Sequence, residues 1–218
     1  MEFCYVCYVI KSMNVRNVAL FEQSKLDKEA AWLLGFIFSD STIGEHQGRT
    51  VIRLYNKNKE LLDNIVEYFG LPNKVTKQVN QTTTVYFIRF GNQDIVSSIQ
   101  AYGFQKDKTN LCVPDLDDEC RKAFTLGFMQ GKGSFFREEA GNYGFKIIYR
   151  SESFIKEVAE LISFYCGVKV ARPHCCLIKN YYSCQIKYVN SDCDRVKEFL
   201  YSDYLLFNDL KAVDQNTE

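Results

Sequence analysis

The side chains with the clearest chemical direction in this chain are basic, and they are unevenly placed. Residues 73–93 hold Lys74, Lys77 and Arg89 without an acidic residue, and residues 168–191 hold Lys169, Arg172, Lys179 and Lys187, again without one. Arg53 in an earlier stretch, and Lys146 and Arg150 in another, lean the same way, with Arg49, Lys57 and Arg137 against Glu45, Glu138 and Glu139. Acids gather elsewhere, at Glu60, Asp63 and Glu67 and at Glu152, Glu157 and Glu160. Net charge is zero, from 27 basic and 27 acidic side chains, so bulk electrostatics would not hold this chain on a polyanion. A polarised surface would. Uncompensated Lys and Arg neutralise phosphates, and the Thr, Gln, Asn and Tyr among them can hydrogen-bond to base edges. Solvated strands also attract Lys and Thr, but the sorting of acids away from these stretches favours a nucleic-acid surface.

Other chemistries have weaker support. His174, Cys175 and Cys176 with Cys184 and Cys193, or Cys4 with Cys7, are zinc-ligand types. The adjacent Cys175 and Cys176 would face opposite sides of a strand, however, and no second well-spaced pair accompanies Cys4 and Cys7. With only His46 and His174 present, histidine acid–base chemistry has little to build on, and no phosphate-binding glycine loop occurs. Nine cysteines, an odd number without a secretory-type leader, point to a reducing, intracellular compartment; thiols there pack as small apolar groups, and a disulfide framework is not expected. The opening MEFCYVCYVI is too short to span a bilayer and reads as an edge strand or an extension ahead of Met13. No other run reaches membrane length, so no membrane partner is expected.

The cations must be positioned by an internal repeat, visible when residues 30–104 are laid beside 122–200. Each half opens with a helical pattern, AAWLLGFIFSDSTI or KAFTLGFMQGKGSF. Strand-like stretches follow, TVIRLYNKN and YGFKIIYRS, rich in β-branched and aromatic residues. Next come amphipathic helices: Leu61, Leu62, Ile65, Val66 and Phe69 share one face, as do Ile155, Val158, Leu161, Ile162 and Tyr165. Two more strands and a capped helix close each half, the caps being Asn92 or Asp94 and Asn190 or Ser191. The unit is helix, two strands, helix, two strands, helix. Pro114 and the acidic run after it mark the join, giving an N-terminal extension over 1–26, a first repeat over 27–113 and a second over 114–218 with a C-terminal helix and tail.

In the opening helices small residues stand four apart, Gly35 with Ser39 and Gly127 with Gly131, so two helix backbones could approach closely and join the halves. Asp40 and Lys132 come just past those contacts and would lie side by side at the helix ends, at the floor of the basic sheets.

Leu33-Leu34-Gly35-Phe36-Ile37-Phe38-Ser39-Asp40-Ser41 and Thr125-Leu126-Gly127-Phe128-Met129-Gln130-Gly131-Lys132-Gly133 resemble the paired motifs of the LAGLIDADG homing endonucleases, and the resemblance runs from about residue 27 to about 211. It implies an α+β fold of two pseudo-symmetric αββαββα repeats joined by the paired motif helices, each with a saddle-forming antiparallel sheet. It also implies a monomer with pseudo-dimeric repeats. In that family, acids at the two helix ends hold divalent metal against the scissile phosphates. Asp40 matches one position, with magnesium as its implied ion. The second motif is degenerate: Lys132 has no lone pair to give a metal and would instead contact a phosphate, and Gln130 replaces an acid. Ser41 replaces the usual glycine. Basic residues usual shortly after each repeat's last strand are missing from Gly91-Asn92-Gln93 and Val189-Asn190-Ser191, with Arg89 and Lys187 the nearest candidates.

The residues therefore predict a binder of double-stranded DNA or structured RNA, lacking efficient double-strand cleavage. Arg53, Lys74, Lys77, Arg89, Lys146, Arg150, Lys169, Arg172, Lys179 and Lys187 are its contacts. Two alternatives stay open: a magnesium-dependent endonuclease or nickase using Asp40, and an intron maturase or structural subunit of a ribonucleoprotein assembly.

Overall fold

The computed structural model describes residues 20–22, 26–79, 83–138, 141–178 and 181–201. The opening MEFCYVCYVI, Lys179 and the tail beyond residue 201 lie outside that set. Helix α1 (Lys28–Asp40) starts where the Asp27 carboxylate accepts the Ala30 N–H at 2.8 Å, meeting one of the donors a helix start leaves free. Strands β1 (Ser41–His46) and β2 (Arg49–Asn56), helix α2 (Lys59–Tyr68), strands β3 (Thr76–Val79) and β4 (Thr84–Phe90) and helix α3 (Gln93–Ala101) complete the first unit. The second repeats it: α4 (Asp118–Lys132), β5 (Gly133–Arg137), β6 (Tyr143–Tyr149), α5 (Glu152–Cys166), β7 (His174–Ile178), β8 (Tyr181–Val189) and α6 (Ser191–Leu200). Asn92 caps α3 through its side chain, whereas Asn190 precedes α6 without such a bond.

Among the described residues there are two four-stranded antiparallel sheets of the same order, β1-β2-β4-β3 and β5-β6-β8-β7. Alternation sends Ile52, Leu54, Ile88 and Phe90 from one sheet, and Phe145, Ile147, Ile186 and Tyr188 from the other, into the core. Leu61, Leu62, Ile65 and Phe69 of the α2 segment are buried, as are Ile155, Val158 and Ile162 of α5, while Val66, Leu161 and Tyr165 are half-buried. Between the halves, Phe38, Phe124, Phe128, Tyr149 and Phe154 meet in stacked, tilted or edge-to-face contacts, with ring centres 5.0–5.9 Å apart.

Helices α1 and α4 pack backbone to backbone. A Cβ on Gly35 would land on the Phe124 carbonyl oxygen, one on Gly127 on the Trp32 carbonyl oxygen, and Gly131 faces the Ser39 side chain. The reciprocal arrangement is what a pseudo-two-fold helix pair requires, and only glycine leaves the space. Gln130 accepts the Trp32 indole N–H at 2.7 Å across the same interface. Ser41 donates to the Ile37 carbonyl at 2.6 Å, satisfying one acceptor at the end of α1.

The cysteines correct one expectation. Cys120 and Cys193 are buried free thiols, but Cys175 and Cys184 form a disulfide between β7 and β8. They are directly opposed across the ladder, with Cα atoms 4.0 Å apart. Spacing along the chain says nothing of that register. Cys176 faces the other side, paired with Ser183. Glu152 is the third potential ligand within 4.8 Å of this pair, yet a disulfide offers no thiolate to zinc. Among the described residues no helix is long and apolar enough to cross a membrane.

Candidate nucleic-acid interface

The registers place the predicted cations in two matching rows on the faces turned away from the helices. Thr42 pairs with Arg53 and Arg53 with Arg89; in the other half Ser134 pairs with Lys146 and Lys146 with Lys187. Thr42 and Ser134 lie two residues beyond Asp40 and Lys132, so both rows begin at the paired helix ends. Thr76, Gln78 and Gln185 share these faces by alternation.

Each row holds its charges in its own way. Arg53 donates to the Glu45 carbonyl at 2.9 Å and packs against Gly44, and Arg89 donates to the His46 imidazole at 2.8 Å while its guanidinium lies 5.5 Å from the centre of the Phe87 ring. Lys146 and Lys187 instead flank the Phe136 ring, their ammonium groups 5.1 and 5.3 Å from its centre. That distance is within reach of a cation–π attraction. Gly144 makes the arrangement possible, since a Cβ there would come within 2.6 Å of the Phe136 ring.

Not every predicted contact joins these rows. Lys77 pairs with Tyr86, two residues from the buried Ile88, so it projects from the opposite face of an exposed edge strand. Lys74 is exposed in the connection before β3, and Lys169 and Arg172 in the one before β7. Arg150 follows β6 and is exposed at the helix ends. Lys179 lies outside the described residues.

At the helix ends the Lys132 Nζ stands 3.9 Å from Asp40 Oδ1, with the Asp40 side chain 56% exposed. At that exposure the pair adds little stability. Its meaning is chemical: the helix ends offer one carboxylate and one fixed positive charge, where the resemblance implies two carboxylates for divalent ions. The two-metal donor set is not met by these residues. Two C-terminal helix ends concentrate partial negative charge, and cations or donors meet it. Lys108 donates to the Phe38 carbonyl at 3.3 Å, and the Tyr149 hydroxyl to the same oxygen at 2.5 Å. Burial lifts the Tyr149 phenol far above its ordinary range, with Asp40 adding to the effect.

These groups line a cleft of about 320 Å³ that also takes in Thr42, Lys106, Asp107, Arg150 and Tyr182. Half-buried Lys108 lies against the Phe104 and Tyr149 rings, 5.3 and 5.9 Å from their centres. Burial pushes its ammonium down to about 7, opposed by Asp40 and reinforced by Lys132 and Arg150. Sequence reasoning missed Lys108, which stands in a linker without periodicity. It also missed the parts of His46 and Phe136, which only strand register brings to Arg89, Lys146 and Lys187.

Residues 27–107 match the family model described as LAGLIDADG-like domain. No curated protein matches the chain. Among solved structures, the N-terminal LAGLIDADG domain of DUF199/WhiA is similar at 13% identity and a TM-score of 0.54, over 89% of this chain and 92% of that one. Full-length DUF199/WhiA from Thermatoga maritima aligns at 16% identity and a TM-score of 0.54, over 85% of this chain. This chain spans 60% of that longer protein. The I-LtrWI LAGLIDADG homing endonuclease bound to target DNA is similar at 14% identity and a TM-score of 0.50, over 81% of this chain and 84% of the other. At these identities the likenesses show the fold.

Proposed function

We propose that this chain, whose residues 27–107 match the LAGLIDADG-like domain model, binds double-stranded DNA without cutting both strands. The observation that carries the reading is the pair of matched rows, Thr42–Arg53–Arg89 and Ser134–Lys146–Lys187, starting at helix ends that hold one carboxylate and one ammonium. The four outward cations of these rows, with Lys132 and Arg150 beside the cleft, meet backbone phosphates, and Thr and Gln side chains on the same faces reach base edges. The similar I-LtrWI structure, bound to target DNA, supports DNA over structured RNA as the partner.

Cleavage of each strand needs its own supply of hard oxygen ligands. Asp40 is the acid present at the helix ends; a magnesium ion held there would face the Lys132 charge, and the second strand would have no counterpart. Lys132 serves the partner better as a fixed cation on a phosphate.

The test is to incubate the purified chain with a labelled mixed-sequence duplex and magnesium at moderate salt. A retarded, uncut duplex is expected, with Asp40→Asn binding unchanged. Discrete double-strand ends would overturn the reading. Nicks lost in Asp40→Asn would replace it with the single-strand enzyme, and tighter binding to folded RNA would replace its partner.

A further inference from the structure

We propose that the Cys175 and Cys184 thiols, once reduced, form with Glu152 a zinc site that fastens β7 to β8 and to the start of α5. Zinc is barred only while the two sulfurs are bonded to each other. The Cys175 and Cys184 sulfurs and a Glu152 carboxylate oxygen lie within 4.8 Å of one another. Once the sulfurs part, small side-chain rotations reach the spacing of about 3.7 Å that two sulfurs keep around a tetrahedral zinc. The three residues come from separate elements, β7, β8 and the first turn of α5. Cys184 is buried and Cys175 half-buried, whereas Glu152 is exposed, so water can reach the ion from one side and fill the fourth position. Two thiolates select zinc over the hard ions magnesium and calcium.

The place of β7 in the fold calls for a clamp. It is the edge of its sheet, paired with β8, and of its five residues all but Cys175 are exposed. Apolar burial therefore does little to hold it. Its counterpart β3 is as exposed, but neither β3 nor its partner β4 contains a cysteine, so the site belongs to the second half. His174 and Cys176 alternate to the opposite face, against Gln185 and Ser183, and stay outside the donor set. In the oxidised chain the disulfide is the clamp. A dithiol reductant is converted to its own disulfide as the Cys175–Cys184 bond takes up two electrons and two protons; a zinc ion then displaces both thiol protons and restores the link. The pair thus fastens the strand in either redox state, by a covalent bond or through the metal.

The test uses the full chain, reduced with a dithiol, freed of it under anaerobic conditions, and titrated with cobalt(II) and then zinc. One cobalt per chain is expected, with thiolate-to-cobalt charge-transfer absorption that zinc abolishes, and Cys176→Ser should match the parent. Glu152→Gln changes an exposed position and leaves both thiols in place; it should weaken cobalt binding by at least about tenfold. Cys175→Ser should lose the absorption. Hydrogen exchange gives a second readout: zinc should slow the β7 amides of the reduced chain toward their rate in the oxidised chain, and leave the oxidised chain unchanged. The inference is overturned if the reduced chain gives no such absorption, if the absorption survives Cys175→Ser or depends on Cys176, or if Glu152→Gln binds cobalt as the parent does. Exchange in β7 that is indifferent to zinc overturns it equally.

Discussion

The two halves repeat the same elements but hold their outward cations by different physics. In the first, Arg53 and Arg89 are anchored by the Glu45 carbonyl and the His46 ring. In the second, Lys146 and Lys187 both stand against the Phe136 ring, for which Gly144 leaves the room. An anchored guanidinium presents its remaining donors in a set direction, whereas an ammonium over a ring keeps its donors free to follow a phosphate. The halves therefore share a position code but not a recognition mode: the first is suited to directional contacts and the second to adaptable ones. The helix ends show the same divergence, an acid in one half and a lysine in the other.

The strictest demand falls where the halves must be equal. Gly35→Ala and Gly127→Ala each drive a methyl into a backbone carbonyl of the opposite helix, and each should cost about 3 kcal/mol in urea unfolding. A large effect at one glycine alone would break the two-fold equivalence. The recognition contrast is tested next by removing each pair of cations. Arg53→Ala with Arg89→Ala should weaken duplex binding by about a hundredfold, and Lys146→Ala with Lys187→Ala by about tenfold, while both lower the salt slope by about two. Equal losses would mean that both rows act only as charge.

At the helix ends, Lys132→Asp should create a divalent-cation site with Asp40, and calorimetry with manganese should find binding at least about tenfold tighter than in the parent. Phe136→Leu removes the ring between the two lysines and should weaken binding by about threefold, with the arginine row unaffected. The smallest effect concerns stability. The folded chain holds the Lys108 proton less tightly than the unfolded chain, so the parent gains stability as pH rises from about 7 toward the ordinary lysine range. Lys108→Met lacks that dependence. Urea unfolding should therefore show the parent gaining stability between about pH 7 and about pH 10 while Lys108→Met gains none from this source.

Much of this was legible in the chain. Periodicity placed the helices and their buried faces, because a 3.6-residue repeat of Leu, Ile and Val has one economical way to pack. Self-similarity showed two copies, and glycines at Gly35, Gly127 and Gly131 announced a close helix pair. Sorting of acids and bases picked out the strands that carry Arg53, Arg89, Lys146 and Lys187. Lys77 shows where that method stops: charge along a strand does not say which face a side chain takes until register is known.

The sequence by itself determined the repeat, the helix pair and the placing of Asp40 and Lys132 just past its close contacts, since these depend on local pattern and on residue chemistry. Tertiary structure decided everything that rests on a meeting of distant strands or a linker. It brought Phe136 beside two lysines, His46 to Arg89, Cys175 to Cys184 and Lys108 to the Phe38 carbonyl. The physical reason is that such contacts join residues from different elements, whose separation in space is set by sheet register and helix packing and leaves no periodic trace along the chain.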